Sequence, residues 1–328
     1  MKWVWRILAF GTGLILLFGV QTWVWWQGDP EAGGTETNAL WARHQWVGEA
    51  HTEAEYAGFV RLLRQNKITD VYFHAGPFEP DGTIPPGKYA HARELTAAMR
   101  RLAPDVRIQA YLGQIRVVEG HGVLDLDDPA NRRRMVASAQ IMIGLGFDGI
   151  HYDLEPIYPG DTAFLGLLDA TRKIAPLLSV ALEQQTLVDA AQPVLDALLP
   201  RSGRFKYPAR PTDGYLREVA RRVDQVAIMA YDTEMPTESL VGRHFAWHTE
   251  HTLRVIGDRV TVFIGVPTYP ALFDWSETLP VAVRGVRKGL DALGRAPAKP
   301  FGLGVYADWT TSEADWADYR RVWPPHAR

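Results

Sequence analysis

The segment from Phe147 to Pro156 carries three ionisable side chains at alternate positions. It reads FDGIHYDLEP, which places His151, Asp153 and Glu155 two residues apart. Successive side chains of a β-strand point to opposite faces, so these three would share one face of a strand. An unpaired charge on a buried strand is unfavourable, and packing alone rarely selects such a column. The pattern predicts a carboxylate pair that performs acid and base chemistry on a glycosidic or similar bond.

A solvated strand end with acidic residues is the alternative interpretation of this segment. The apolar run at residues 141–146 and the Asp148-Gly149 turn precede the column, and both favour a strand that lies inside a folded core. Carboxylates held in such surroundings have perturbed pKa values, which are common at functional sites. We therefore take residues 149–155 as the candidate catalytic strand.

Length and composition leave room for one large domain. The chain has 328 residues, of which 47% are hydrophobic. A (β/α) barrel needs about 250 residues, and two smaller domains are the alternative at this length. A net charge of −3 and a pI near 6.4 give no reason to expect a nucleic acid partner. The lack of cysteine excludes disulfides, thiol catalysis and zinc–thiolate sites.

The N-terminal segment has the features of a membrane anchor. Lys2 and Arg6 precede residues 7–26, which contain no charged side chain and have tryptophans near both ends. As a helix this segment would span roughly 30 Å, which matches the apolar core of a bilayer. A cleaved signal peptide is the alternative, but its apolar region is usually shorter, and no convincing small-residue cleavage site precedes Gly28. The N-terminal cations predict that the rest of the chain lies outside the cytoplasm.

These features divide the chain into three predicted parts. Residues 1–26 form a single-pass signal anchor that contacts the lipid bilayer through residues 7–26. Residues 27–38 form a short linker, and residues 39–328 form the barrel domain. The predicted location is the cell membrane, with the barrel domain outside the cytoplasm; secretion after signal cleavage is the alternative.

From residue 39 onward, short apolar segments alternate with amphipathic helical patterns. Strands that are apolar on both faces and alternate with helices indicate a parallel sheet, and eight such units indicate a closed (β/α)8 TIM barrel. The predicted strands are residues 40–47, 70–75, 107–113, 149–155, 178–183, 225–231, 260–266 and 302–308. The predicted helices include residues 53–65, 92–102, 129–145, 162–174, 215–223, 280–293 and 312–322.

Functional residues of such a barrel lie at the C-terminal ends of its strands. Glu155 ends predicted strand four, and Tyr231 and Asp232 lie at the end of strand six. Tyr269 follows strand seven and Trp309 follows strand eight. The polar and aromatic residues therefore cluster where the barrel predicts one site.

At these residues the chain resembles the family 18 glycoside hydrolases, the chitinases and related N-acetylglucosaminidases. Their strand-four signature, D-G-x-D-x-D-x-E, corresponds to residues 148–155 with one mismatch, and their strand-six signature, M-x-Y-D, corresponds to residues 229–232. Residues 265–269 (GVPTY) resemble the end of their strand seven, and Trp309 lies where a tryptophan commonly forms the floor of the sugar site. The resemblance covers residues 40–323.

The resemblance implies substrate-assisted, retaining hydrolysis of β-linked N-acetylglucosamine glycans, chitin-like or peptidoglycan-like, with the 2-acetamido oxygen of the substrate as nucleophile. Glu155 would be the acid and then the base, Asp153 would orient the acetamido group, and Tyr231 would hydrogen-bond its oxygen. Two carboxylates this close cannot both ionise freely, which raises one pKa. No metal and no organic cofactor is implied. The implied substrate-binding residues are Asp232, Met229, Trp309, Tyr269 and His151.

His151 departs from the family signature, which has Asp at this position. As an imidazolium paired with Asp153, it would hold that aspartate ionised and lower its pKa. A neutral buried histidine bonded to nearby backbone is the alternative. Because family members with altered signatures are sometimes non-catalytic, a catalytically weak or inactive glycan-binding protein is the second functional interpretation. The third is an unrelated barrel hydrolase that uses Asp153 and Glu155 directly.

Two further features stay open at this point. His244, His248 and His251 fall at helical spacing and could bind a metal from one face of a helix, although a solvated face is the favoured interpretation. Glu183 ends predicted strand five and either lines the cleft or pairs with an arginine.

Overall fold

The computed structural model describes Trp25 and residues 27–118, 120–183, 212–270, 272 and 274–323. Eight parallel strands pair in chain order and close into a barrel when β1 pairs with β8, so the predicted (β/α)8 barrel is confirmed. The strands are β1 (Asn38–Ala42), β2 (Ile68–His74), β3 (Arg107–Ile115), β4 (Gly149–Glu155), β5 (Leu177–Glu183), β6 (Gln225–Met229), β7 (Thr261–Pro267) and β8 (Phe301–Tyr306).

The helices lie outside the barrel and follow the strands along the chain. They are α1 (Gln45–Gly48), α2 (Glu53–Gln65), α3 (Ala92–Leu102), α4 (Pro129–Gly144), α5 (Thr162–Thr171), α6 (Asp213–Ala220), α7 (Glu238–Ile256), α8 (Leu279–Leu293) and α9 (Glu313–Val322), and a short 3-10 helix spans Pro86–Tyr89. Side-chain hydrogen bonds cap the N-termini of several helices. Asp128 Oδ1 accepts from the backbone N–H of Ala130 at 2.7 Å before α4, and Ser312 forms a capping box with Asp315 before α9.

Most predicted elements differ from the structure by one to three residues at an end, and two differences are larger. Strand one ends at Ala42 instead of residue 47, because the apolar residues that follow it belong to the short helix α1. Trp46 lies there, where its ring contacts Phe59 and its indole N–H donates to Asp308 at 2.8 Å. Helix α7, between β6 and β7, was not among the helices delimited above, and histidines interrupt its apolar face.

Hydrophobic residues fill two separate regions. The larger cluster lies between the strands and the helices and takes the outward-facing residues of every strand. The smaller cluster lies inside the barrel and includes Trp41, Tyr72, Met229, Tyr231 and Phe263. The alternation of side chains along each strand separates the two regions, which is why the strands are apolar on both faces.

A polar layer crosses the lower half of the barrel interior. This lower polar layer consists of Asp70, Gln109, His151, Ser179 and Gln225, all buried. Gln225 Nε2 donates to Asp70 Oδ1, Gln109 Nε2 donates to Gln225 Oε1, and Ser179 Oγ donates to Gln109 Oε1, each at 2.7 Å. His151 Nδ1 also lies 2.7 Å from Ser179 Oγ, so side chains from five strands are joined in one chain of hydrogen bonds. These bonds satisfy polar groups whose burial would otherwise be unfavourable.

The segment that precedes β1 lies against α8. Arg287 donates to the carbonyls of Pro30 and Ala32 at 2.8 and 2.6 Å, and Asp291 accepts from the backbone N–H groups of Glu31 and Ala32. The predicted linker, residues 27–38, therefore makes specific contacts with the barrel domain, and its last residue, Asn38, already belongs to β1.

Trp25 also packs on the barrel domain. Its indole covers Gly242 of α7 so closely that a Cβ atom at that position would lie 2.0 Å from the ring. The ammonium of Lys288 lies 4.8 Å from the ring centroid. Among the described residues, no helix has the length and apolar character needed to cross a bilayer. The predicted anchor, residues 7–26, lies outside the described residues except for Trp25.

Candidate active site

Strand β4 carries the predicted column of ionisable side chains into the barrel. His151, Asp153 and Glu155 alternate along it and rise from the lower polar layer to the open C-terminal end. His151 is fully buried, Asp153 is 7% exposed, and Glu155 is half-buried. Of the three, Asp153 and Glu155 line a cavity.

His151 is neutral, because burial disfavours its charged form and no acceptor for a second ring proton lies at Nε2 among the described residues. The hydroxyl of Ser179 gives its proton to Gln109, so its oxygen accepts from His151 Nδ1 at 2.7 Å. Nε2 is then an acceptor, and it has no hydrogen-bond partner among the described residues. Burial lowers the pKa of His151 to about 3. The imidazolium interpretation is wrong; the neutral alternative is correct, with the Ser179 hydroxyl instead of backbone as the partner.

The predicted substrate-binding role of His151 also conflicts with its position. Its side chain is completely buried beneath Asp153 and does not line the cavity. The ring stacks on Tyr72, with centroids 3.7 Å apart and planes 8° from parallel. His151 therefore packs inside the barrel and lies out of reach of a glycan in the cavity.

Three carboxyl groups meet above this layer, at the C-terminal end of the barrel. This acidic cluster consists of Asp153, Glu155 and Glu183, and the side chain of Glu155 lies within hydrogen-bonding range of both others. Two carboxyl groups hydrogen-bond to each other only when a proton lies between them. The cluster therefore retains a proton that isolated, exposed carboxylates would lose.

Both burial and its acidic neighbours favour the protonated form of Glu155. Burial raises its pKa most, and the charges of Asp153 and Glu183 raise it further, to about 8. Burial also raises the pKa of Asp153, while hydrogen bonds with Tyr111 and Glu155 lower it. Tyr111 Oη donates to Asp153 Oδ2 at 2.8 Å and orients the carboxyl group. Glu155 is thus held in the protonated form that a general acid needs near neutral pH.

The end of β6 supplies the facing wall. Tyr231 stacks on Tyr306, with ring centroids 4.9 Å apart. Gly265 of β7 leaves space for this ring because it has no Cβ atom. Any other residue there would place its Cβ atom 2.8 Å from the ring. Asp232 has a φ of 58°, in the left-handed region that aspartate enters more readily than most residues. The chain turns there, and Met229, Tyr231 and Asp232 all reach the cavity.

The walls enclose a cavity of about 420 Å³. Its lining combines carboxyl groups, which can exchange protons and stabilise positive charge, with aromatic rings, which can pack on sugar faces. Among the described residues, none that lines it is Lys, Arg or His, so its field is acidic. The lining residues are Tyr111, Asp153, Glu155, Glu183, Met229, Tyr231, Asp232, Tyr269 and Tyr306.

Trp309 lies beside this cavity instead of in its lining. The residue is 42% exposed and borders a second cavity of about 270 Å³, together with Arg43, His44 and His74. Tyr111 and Tyr306 line both cavities, so the two form neighbouring parts of one cleft. A larger groove, about 740 Å³, lies at the other end of the barrel between residues 32–37 and 290–301 and contains no carboxyl pair.

The structure adds Tyr111 and Tyr306 to the residues predicted from sequence and decides the position of Glu183. Tyr306 ends β8 and Glu183 ends β5, so the strand-end rule identifies both once the barrel is accepted. Tyr111 lies four residues before the end of β3, and no sequence signal distinguishes it from a core tyrosine. Its place in the candidate site becomes visible only through its bond to Asp153.

The three histidines of α7 do not form a solvated face. His244 and His248 are buried, and His251 pairs with Asp213 at 2.8 Å. No group of residues suited to hold a metal ion occurs in the described part of the chain.

Comparison with known proteins finds solved structures with a similar fold. No protein-family model matches the chain, and no curated protein matches it in sequence. Among solved structures, it is similar to the spore cortex-lytic enzyme SleL of Bacillus cereus, with 12% identity, 90% of this chain and 76% of that chain covered, and a TM-score of 0.57. It is also similar to the class V chitinase of Nicotiana tobaccum, with 13% identity, 89% and 99% covered, and a TM-score of 0.54. The resemblance stated above from motifs is confirmed at the level of the fold.

Proposed function

We propose that this protein is a retaining hydrolase of β-linked N-acetylglucosamine glycans. The observation that carries the proposal is the position of Glu155 beside Asp153 at the end of β4, in a cavity that Tyr231 also lines and where burial and acidic neighbours raise the pKa of Glu155. An acid with a pKa of about 8 suits proton donation to a glycosidic oxygen near neutral pH. The chitinase and spore cortex-lytic enzyme among its structural neighbours support the same class of substrate.

In the proposed reaction, Glu155 protonates the glycosidic oxygen while the 2-acetamido oxygen of the substrate attacks the anomeric carbon. The bond to the leaving sugar breaks, and a cyclic oxazolinium ion forms. Asp153 stabilises its positive charge, and Tyr231 hydrogen-bonds the acetamido group. Glu155, now a carboxylate, then takes a proton from water, whose oxygen opens the ring at the anomeric carbon. Two inversions give net retention, and no metal or organic cofactor takes part.

One observation favours a second candidate, a glycan-binding barrel with little or no turnover. His151 replaces the lowest carboxyl group of the family column, and as a neutral ring it cannot supply the proton sharing expected of an aspartate there. The cavity and its aromatic lining would serve binding equally well.

A fluorogenic chitobioside distinguishes these candidates. We expect the wild-type protein to hydrolyse it and Glu155→Gln to lose at least about 10²-fold in kcat while retaining glycan affinity. Glu234→Gln, an exposed acid at the same end of the barrel that does not line the cavity, is the matched control. Binding without turnover in the wild-type protein would establish the second candidate.

A thiazoline analogue of the oxazolinium ion tests the substrate-assisted step. It should bind far more tightly than the product sugar because it resembles the intermediate. Equal affinity, together with turnover of a matched glycoside that lacks the 2-acetamido group, would instead show that Asp153 and Glu155 act directly on the bond.

We also propose that residues 7–26 anchor the protein in the cell membrane, with the barrel outside the cytoplasm. The uncharged, tryptophan-flanked segment behind Lys2 and Arg6 supports this. The full-length protein should stay in the membrane fraction through carbonate washing, and a chain that begins at Gln27 should not. A full-length gene product recovered free of membrane and cut between residues 20 and 35 would instead indicate a cleaved signal.

A further inference from the structure

We propose that Glu183 is the proton partner of Glu155, a positioning residue that keeps the general acid protonated and takes the place of the carboxyl group missing at His151. The inference rests on the proposed function. It concerns a carboxyl group on β5, outside both sequence signatures, and follows from the register of β4 and β5 inside the barrel.

The two strands place equivalent columns side by side. His151 pairs with Ser179 and Tyr152 with Val180 in the parallel register. Three residues further along the two strands, Glu155 and Glu183 end β4 and β5, and both line the same cavity. Ser179 contacts His151 inside the barrel, which shows that this face of β5 points inward. Glu183 lies on the same face, four residues further along.

Described residues border Glu183 on β6 and on its outer side. On β6, its register partner is Met229, whose thioether donates no proton. On its outer side, Glu183 borders another small cavity, which is lined also by His248 and His251 of α7 and is separate from the two at the end of the barrel. A positive charge on either histidine would favour the ionised form of Glu183, which is the form that opposes ionisation of Glu155.

Glu155 is faced by ionisable groups from several strands, and among the described residues those that line the cavity are all acids or phenols. Of these, Asp153 and Glu183 are the two within hydrogen-bonding range of its carboxyl group. The others are Tyr111 of β3, Tyr231 and Asp232 after β6, Tyr269 after β7 and Tyr306 of β8.

The column of β4 explains why a carboxyl group is needed from another strand. A proton-sharing partner below Asp153 is absent, because His151 gives its only proton to Ser179. Asp153 must remain available to the acetamido group and already accepts from Tyr111. Glu183 reaches Glu155 from the side, so it can hold the proton of the acid without displacing Asp153.

Glu183→Gln tests this inference through the pH dependence of kcat/KM. The basic limb reports the loss of the proton from the free general acid. Removing the negative charge of Glu183 should move this limb to lower pH by about 1 unit, because like charges at this distance shift a pKa by that order. Asp232→Asn is the matched control: it removes a carboxylate from the same cavity that does not hydrogen-bond to Glu155, so it should leave the limb in place whatever it does to kcat.

A titration that needs no turnover separates this inference from the proposed function. In protein labelled with ¹³C at the glutamate carboxyl carbons, the signal lost in Glu155→Gln identifies Glu155. Its midpoint should lie near pH 8 in the wild-type protein and fall by about 1 unit in Glu183→Gln. A shifted midpoint in a protein without hydrolytic activity would sustain the role of Glu183 and refute the enzyme assignment.

An unchanged midpoint in Glu183→Gln would overturn the inference, even in an active enzyme. If Glu183→Gln does not fold, Glu183→Asp carries the same test. It keeps the charge but withdraws it by one methylene, so the midpoint should fall by less than in the glutamine variant. A midpoint equal to that of the wild-type protein would again contradict the role of Glu183.

Discussion

Acidic side chains have opposite surroundings at two levels of the barrel interior. In the lower polar layer, Asp70 accepts hydrogen bonds from Thr69, Arg107 and Gln225 at 2.7 to 2.8 Å. In the acidic cluster, Glu155 has Asp153 and Glu183 as its neighbours, and both oppose its ionisation. The two levels lie within a few residues of each other on the same strands.

The surroundings of the lower carboxylate stabilise the fold, whereas those of the upper carboxyl groups raise the pKa of a candidate general acid. Donors surround the lower carboxylate, so its charge contributes to holding five strands together. The upper carboxyl groups lack cationic neighbours in the described lining of the cavity, which destabilises their charged forms but keeps a proton on Glu155. Active sites are commonly less than optimal for stability for this reason.

The largest effect should come from a change in the acidic cluster. Asp153→Asn should lower kcat/KM for the chitobioside by about 10²-fold or more, because it removes the negative charge that stabilises the oxazolinium ion. Its melting temperature should equal or exceed that of the wild-type protein, because one acid leaves a repulsive cluster. Steady-state kinetics and thermal unfolding measure both, and a destabilised variant with normal turnover would reverse the comparison.

A variant in the lower polar layer should have the opposite effect, with reduced stability and little change in turnover. Asp70→Ala should lower the free energy of unfolding by about 3 kcal/mol, because buried donors of Gln225 and Thr69 lose their acceptor. Turnover well below the melting temperature should be close to that of the wild-type protein. Thr69→Val, which removes one donor only, is the control and should lose about 1 kcal/mol in urea titrations. Comparable losses in the two variants would show that the layer is not coupled.

A pH titration of stability sharpens the contrast. The pKa of Glu155 rises from its ordinary 4.5 to about 8 on folding, so the folded protein binds a proton that the unfolded chain releases. The stability from this group is fully present below pH 4.5 and is lost as pH rises through about 8. The melting temperature should therefore fall over this window in the wild-type protein and fall less in Glu155→Gln. Parallel curves for the two proteins would mean that Glu155 is ionised in the folded state.

The smallest effect should come from His151, the member of the lower polar layer that precedes Asp153 in the column of β4. His151→Gln should leave the pH–rate profile in place because it replaces one neutral group by another, and an amide can still donate to Ser179. Loss of the stacking on Tyr72 should lower stability by about 1 kcal/mol. A displaced profile would restore the imidazolium interpretation. His151→Asp, which adds an acid beneath Asp153, is the variant expected to displace it.

Local patterns were sufficient to predict most of the barrel. Strand β4 and helices α2 and α3 have the predicted boundaries, since each is bounded by turn or capping residues and carries one clear periodicity. The end of β1 could not be predicted, because the apolar residues after Ala42 suit a strand and a short helix equally well. What decides between them is the contact of Trp46 with Asp308, which is distant in sequence.

The same division holds for the candidate site. Glu155, Asp153, Tyr231 and Asp232 were predictable because the ends of parallel strands converge at one edge of a barrel, whatever the loops between them do. The charge of His151 could not be predicted from the sequence, although the residue itself was identified as a departure from the family signature. Its proton is placed by Ser179, and the proton of Ser179 by Gln109.

The sequence by itself determined which side chains enter the barrel and at which end they emerge, because strand alternation and parallel order are local properties of the chain. The protonation of those side chains was decided only by the tertiary structure. A pKa depends on burial and on the nearest charges, and strand closure brings Glu183 of β5 against Glu155 of β4 while Tyr111 of β3 takes Asp153. These neighbours lie tens of residues apart in the sequence, so only the closed barrel gives Glu155 the proton on which the proposed chemistry depends.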